Sequence, residues 1–154
     1  MIKKKRVSIK NVKFGKGVKI FEPVNLYGCK IGNNCFIGPF VEIQRNVNIE
    51  DNTRISSHSF VCENVKIGKD CFISHGVMFV NDLFKSGILE RNPDKFQSTK
   101  IENNVLIGSN STILPVKIVS GCVIGAGSVV TKDLLKKGVY VGNPAKFIRK
   151  IDWK

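Results

Sequence analysis

Three polar residues, Arg45, Glu63 and Asn81, recur along the chain at intervals of 18 residues, and Asp82 follows the last of them. The only two histidines, His58 and His75, are interleaved with them. A carboxylate, a carboxamide and an imidazole gathered in one place suit group transfer. The imidazole or carboxylate takes a proton from a nucleophile, and the amide holds the attacking group in line. The five cysteines are odd in number and lack zinc-finger spacing, which suits reduced thiols rather than a disulfide frame. Lys and Arg number 25 against 12 Asp and Glu, a net charge of +13, and such an excess attracts phosphate-rich small molecules, anionic lipid or nucleic acid. The basic residues are scattered apart from those in residues 3–6, and no RNA-binding motif accompanies them. Nucleic acid is therefore not expected as a partner, and much of the excess serves solubility.

These residues need a frame that brings distant positions into register. At 154 residues with 42% hydrophobic content, one domain with a real core is expected, and disorder is excluded as the main state. From Ile31 an aliphatic side chain falls every six residues, at Ile37, Ile43, Ile49, Ile55, Val61, Ile67, Ile73 and then Phe79. Upstream the same step is read at Val12, Val18 and Val24, with one extra residue before Ile31. Downstream it resumes at Ile101, Ile107 and Ile113, slips one residue short to Ile118, and continues to Ile124 and Val130. Two residues before most of these aliphatics stands a small or β-branched side chain, among them Cys29, Cys35, Cys71 and Cys122. Both slots therefore point to one side of a short strand. Only Cys62 falls outside the small slot. No amphipathic helix or plain strand alternation produces a six-residue period.

This pattern resembles the hexapeptide-repeat transferases over about residues 12–131. The resemblance implies an all-β fold, a left-handed parallel β-helix with three hexads per coil. The eighteen hexads would then make six coils, stacked to roughly 29 Å. A loop is expected to leave the helix at about residues 80–100, where Gly87, Pro93 and scattered charges interrupt the period. Residues 1–131 would form the repeat domain, and residues 132–154 a C-terminal cap, strand or helix, with Phe147, Ile148 and Ile151 at helix-compatible spacing. In such a coil, residues 18 apart stand one above another, so Arg45, Glu63 and Asn81 would form a vertical ladder ending at the root of the loop.

The stretches around His58–Glu63 and His75–Asp82 sharpen the resemblance to N-acetyltransferases that modify the 3-amino group of nucleotide-linked 3-amino-3-deoxy sugars. It implies acetyl-CoA as co-substrate, a dTDP- or UDP-linked amino sugar as acceptor in surface glycan or lipopolysaccharide assembly, and a homotrimer with its sites between subunits. By this resemblance Asn81, Asp82 and His75 are candidate catalytic residues, and Arg45, His58 and Glu63 candidate substrate contacts. Gly108, Ala126 and Gly142 would border coenzyme A, with Lys132, Lys146 and Arg149 as phosphate partners.

Related O-acetyltransferases carry a histidine just inside the extruded loop; here that stretch reads Val80-Asn81-Asp82-Leu83-Phe84. A hydroxyl needs a base to attack a thioester, whereas an amine needs only to be neutral. The absence of that histidine therefore favours N-transfer by direct attack. Sugar O-acetylation with His75 or His58 as base is the alternative. Two histidines do not make the three-histidine zinc site of β-helix carbonic anhydrases, so no metal is expected. A purely structural or ice-binding β-helix would want uniform outward ladders, and the outward residues here are varied and charged. No stretch approaches the ~18 apolar residues of a membrane span. The basic start gives way to the alternating Val7-Ser8-Ile9-Lys10-Asn11 rather than to an export leader. A cytoplasmic protein without a membrane partner is expected.

Overall fold

The structure, a computed structural model describing residues 8–151, is a left-handed parallel β-helix of triangular section. Its walls are parallel sheets, here called faces A, B and C in the order the chain visits them. Face A has seven strands, from Ile9–Lys10 to Val129–Val130. Face B has six, from Lys13–Phe14 to Lys117–Ile118. Face C has eight, from Lys19–Ile20 to Lys146–Arg149. Each strand is only two to four residues long. Such strands persist because each, apart from the end strands of every face, is bonded to the turns above and below it.

The inside is built from the two slots the hexad repeat defines. The main column, including Ile31, Ile37, Ile43, Ile55, Ile73, Ile107 and Ile124, is almost fully buried. The small slot fills the space beside each corner. Where it is polar, its hydroxyl bonds a carbonyl across the corner: Thr53 Oγ1 donates to Gly68 O at 2.7 Å, and Ser59 Oγ to Ser74 O at 2.8 Å. Buried hydroxyls are tolerated in this slot because each is hydrogen-bonded, whereas Ser56 Oγ, just past the main slot, is buried with no partner among the described residues. All five cysteines are buried, Cys62 included, although it stands one residue past the main slot.

The turns between strands demand a left-handed residue, and Asn is the side chain used most often: Asn34, Asn46, Asn52, Asn64, Asn104 and Asn110 have φ between 54° and 66°. Asn is the side chain that adopts this conformation most readily after glycine. At the corner between faces B and C the amides also ladder, Asn34 Nδ2 to Asn52 Oδ1 at 3.4 Å and Asn52 Nδ2 to Asp70 Oδ1 at 3.1 Å.

Two expectations change. Upstream of Ile31 the register pairs Phe14 with Ile31, Ile20 with Ile37, and Leu26 with Ile43. Phe14, Ile20 and Leu26 are thus the main slot, and Val12, Val18 and Val24 belong to the small slot. The step into Ile31 is one residue short, not one long. A valine fits either slot, which is why the hexad period alone misassigned them. Second, the six coils become about seven turns. The winding runs past residue 131 through Leu134, which bridges Ile118, to Val139–Val141, which pairs in parallel with Val123–Ile124. Of the two forms expected for the C-terminal segment, the tail takes the strand: Lys146–Arg149 turns back antiparallel on Val139–Val141 and covers that edge of face C. Phe147 packs edge-on against Tyr140 with ring centroids 5.6 Å apart, so apolar residues at this spacing serve a strand here. The basic run at residues 3–6 and the last three residues lie outside the described residues.

Candidate active site

The extruded loop leaves after Met78–Phe79 and returns at Thr99–Ile101, both on the corner between faces A and B. It folds back on its root. Gln97 N donates to Asn81 O at 3.1 Å, and Asn64 Nδ2 to Phe96 O at 3.4 Å. Within the loop a single 3-10 turn, Pro93–Lys95, is capped by Asn92.

The expected ladder stands beside this root. Arg45 Nε and Glu63 Oε1 are 2.8 Å apart, with Glu63 only 12% exposed. The neighbouring carboxylate raises the pKa of the Arg45 guanidinium. Asn81 occupies the rung above, because the strands preceding Glu63 and Asn81 pair Phe60 with Met78. Among the described residues its side-chain amide makes no hydrogen bond. Arg45, Asn46, Glu63, Asn64, Pro93 and Asp94 enclose a cavity of about 490 Å³ beneath the loop. Asp82 is employed differently: Oδ1 accepts from Phe84 N at 2.8 Å and Oδ2 from Glu90 N at 3.0 Å. Both oxygens clasp the loop.

The histidines lie on another corner, between faces C and A. His75 Nδ1 is 2.8 Å from Ser57 Oγ, one turn below. His58 stacks on Phe40, with ring centroids 4.8 Å apart and planes 27° apart. Higher on this corner come Ser109, which shares a 2.8 Å hydrogen bond with Ser74, and then Ala126. A Cβ on Gly108 would run into the backbone of Ala126, so glycine there lets the turns close and leaves bare main chain at the edge. Gly142 N reaches Ser128 Oγ at 3.1 Å, and Ala145 N reaches Val129 O at 2.8 Å, which fastens residues 142–145 beside the last face A strand.

The candidate residues therefore form two columns flanking face A, matched turn by turn. His58 and Glu63 flank Phe60–Val61. His75 and Asn81 flank Met78–Phe79. Ala126 and Lys132 flank Val129–Val130. Within one chain the two members of a level face away from each other across the width of the face, their Cα atoms at most about 16–18 Å apart for His58 and Glu63. Lys146 and Arg149 lie on the edge strand of face C, apart from Lys132. Phe40 and Ser57 escaped the sequence reading, although Ser57 stands 18 residues before His75 and Phe40 18 before His58. Among the described residues no cluster of three His, Cys, Asp or Glu side chains is placed to hold a metal.

The comparisons with known proteins agree with this architecture. The family model "Bacterial transferase hexapeptide (six repeats)" matches residues 28–62, and "Hexapeptide repeat of succinyl-transferase" matches residues 98–132. The bifunctional protein GlmU of Clostridium botulinum (strain Kyoto / Type A2) is 33% identical over 125 residues, 80% of this chain but 25% of the relative. The chain thus spans about a quarter of that relative's length. A mutant of AntD, an N-acyltransferase from Bacillus cereus, solved in complex with dTDP and coenzyme A, superposes with a TM-score of 0.80 at 26% identity, covering 94% of this chain and 86% of that one. A hexapeptide-repeat acetyltransferase from Vibrio cholerae, complexed with acetyl coenzyme A, shares the fold at 24% identity and a TM-score of 0.69, covering 81% and 72%. With its hexad core, its extruded loop and these matches, the chain is similar to the hexapeptide-repeat transferases and shares their β-helix.

Proposed function

We propose that the protein transfers an acetyl group from acetyl-CoA to the amino group of a dTDP- or UDP-linked amino-deoxy sugar, within a homotrimer whose sites lie between subunits. The observation that carries this reading is the turn-by-turn matching of two functional columns that one chain holds apart. Three copies arranged with face A toward a common axis bring the loop corner of one subunit against the histidine corner of the next. Above Glu42 the outward column of face A reads Phe60, Met78, Thr112 and Val129, a mostly apolar surface suited to that contact, Met78 being 42% exposed. AntD, bound to dTDP and coenzyme A, supports the same pairing of ligands.

In this arrangement the coenzyme runs along Gly108, Ala126 and Gly142, and the thioester meets the acceptor at the level shared by His75 and Asn81. An amine with a pKa of ~7.7–8.0 is partly free base near neutrality. Its nitrogen attacks the thioester carbonyl, the tetrahedral intermediate collapses, and the departing thiolate accepts the proton lost by nitrogen. The protein supplies position: Asn81's unengaged amide orients the amine, while Glu63, fixed by Arg45, meets sugar hydroxyls. His75, held by Ser57, is placed to accept a proton and is the base of the alternative O-transfer reading.

A panel of amino-sugar nucleotides and their hydroxyl counterparts, assayed by thiol release from acetyl-CoA, tests this. Acetylation of an amino sugar nucleotide is expected, surviving the double substitution His58→Ala and His75→Ala at a reduced rate. Turnover of only the hydroxyl compounds, lost in that double variant, would replace N-transfer with O-transfer.

A further inference from the structure

Phe40 is out of place by the rules that govern the rest of the solenoid. It sits in a turn at φ +60°, in the left-handed region. Outside the extruded loop, every other described non-glycine residue in that region is Asn, Asp or His; the loop adds Phe84. A bulky side chain is an outlier there, and glycine or Asn would relieve the strain. Nor does burial compensate for it, since Phe40 is 57% exposed, among the most exposed large apolar residues of the solenoid proper. Its backbone has the same fixed place as its counterparts, Phe40 N donating to Pro23 O at 2.6 Å. The conformation is therefore imposed, while the side chain gains little from the fold. Strain retained without packing is the mark of a position kept for a ligand.

The geometry assigns Phe40 a role as the stacking platform for the pyrimidine base of the acceptor nucleotide, an inference that rests on the acceptor proposed above. Three observations agree on this ligand. His58, directly above, stacks on the ring at 4.8 Å and fixes its plane, so an aromatic surface is held ready at the corner. Phe40 lies on the histidine corner, two turns below Gly76 and His75, which puts it about 10 Å along the axis from the proposed reacting level. That separation suits a diphosphate linking base to sugar, and it leaves the upper turns for the coenzyme. Arg45 flanks the same face A strand, Glu42–Ile43, from the loop corner. A guanidinium from the adjoining subunit thus stands at the level of the nucleotide.

The test exploits the strain. Phe40→Asn installs the residue the turns prefer, so the variant is expected to keep or raise the thermal midpoint. Its Kd for dTDP and UDP, measured by calorimetry, should weaken about tenfold. Its Kd for coenzyme A should stay unchanged. Phe40→Tyr should retain nucleotide affinity. Unchanged nucleotide affinity in Phe40→Asn, with acetylation of amino-sugar nucleotides intact, overturns this inference and leaves the proposed reaction standing. A lowered midpoint with nucleotide and coenzyme affinities falling together would give the ring a structural role and also overturn it. A wild-type protein that binds neither nucleotide yet acetylates a free amino sugar would remove the proposed acceptor itself, and the base platform with it.

Discussion

At Asp82 and Cys62, hydrogen bonding and burial offer structural reasons for residues that look reactive in the sequence. Asp82 adjoins the ladder as a candidate for the chemistry, and its two oxygens hold the amides of Phe84 and Glu90. Asp82→Ala is therefore expected to speed hydrogen exchange at those two amides and to raise KM several-fold while changing kcat little. A drop in kcat of about a hundredfold or more with the loop still protected would instead fit acid–base work. Cys62 looks available because it stands outside the inward small slot, yet burial pushes its thiol up to about 12, and Cys29 and Cys71 up to about 11. The folded chain keeps these thiols neutral, whereas in the unfolded chain they ionise near 8.5. Between those values the native state binds more protons, so this contribution to stability is complete below about pH 8.5 and declines as pH rises toward 11–12. Urea midpoints taken from pH 8 to 10.5 should fall, and Cys62→Ala, less stable at pH 7, should show a shallower decline. Without denaturant, iodoacetamide should leave all five thiols unmodified.

Among the elements, face B carries a feature visible only once the register is known. Its outward column reads Lys13, Lys30, Asn48, Lys66, Lys100 and Lys117 along successive turns. Lys117 is paired with Glu102 at 3.2 Å, while Lys13, Lys30, Lys66 and Lys100 make no ion pair among the described residues. Ammonium-bearing side chains rooted ~4.8 Å apart repel one another. Lys100→Gln should therefore raise the thermal midpoint in dilute buffer, by the equivalent of about 0.5 kcal/mol, and the gain should vanish near 1 M salt, where screening reaches ~3 Å. The hexad period made the wall-forming strands legible from Ile31 onward, because an isoleucine every sixth residue admits one inward slot. It failed where the slot was ambiguous, at the valines before Ile31, and at the C-terminus. There Leu134 follows Val130 by only four residues, so Leu134 and Tyr140, six apart, continue the core out of phase with the earlier period. The Arg45–Glu63 contact was legible because an 18-residue interval maps onto adjacent turns. The division of the site between two corners was not, since an interval along the chain gives the turn a residue occupies but assigns no corner until the slots are fixed.

At the scale of the whole molecule, the two columns flanking face A bear on assembly. A single triangular prism turns its loop corner and its histidine corner outward in different directions, so on the proposed reading a monomer presents two half-sites. The proposed trimer closes three full sites, each drawing its loop corner from one subunit and its histidine corner from the next. This permits a test by complementation. One variant, Glu63→Ala with Asn81→Ala, spoils the loop corner; another, Phe40→Ala with Ala126→Trp, spoils the histidine corner by weakening the nucleotide's hold and filling the proposed path of the coenzyme. Each alone should be nearly inactive. When the two are unfolded together in equal amounts and reassembled, any mixed ring of three contains one junction at which an intact loop corner meets an intact histidine corner. Random mixing makes about three-quarters of the trimers mixed, and each of these recovers about one site in three, so activity should return to about one quarter of wild type. Recovery at that level, with light scattering giving three times the chain mass, requires sites shared between subunits. Activity that stays at the level of the separate variants, despite demonstrated subunit exchange, would place each complete site within one chain and leave the alignment of the two columns without a catalytic purpose.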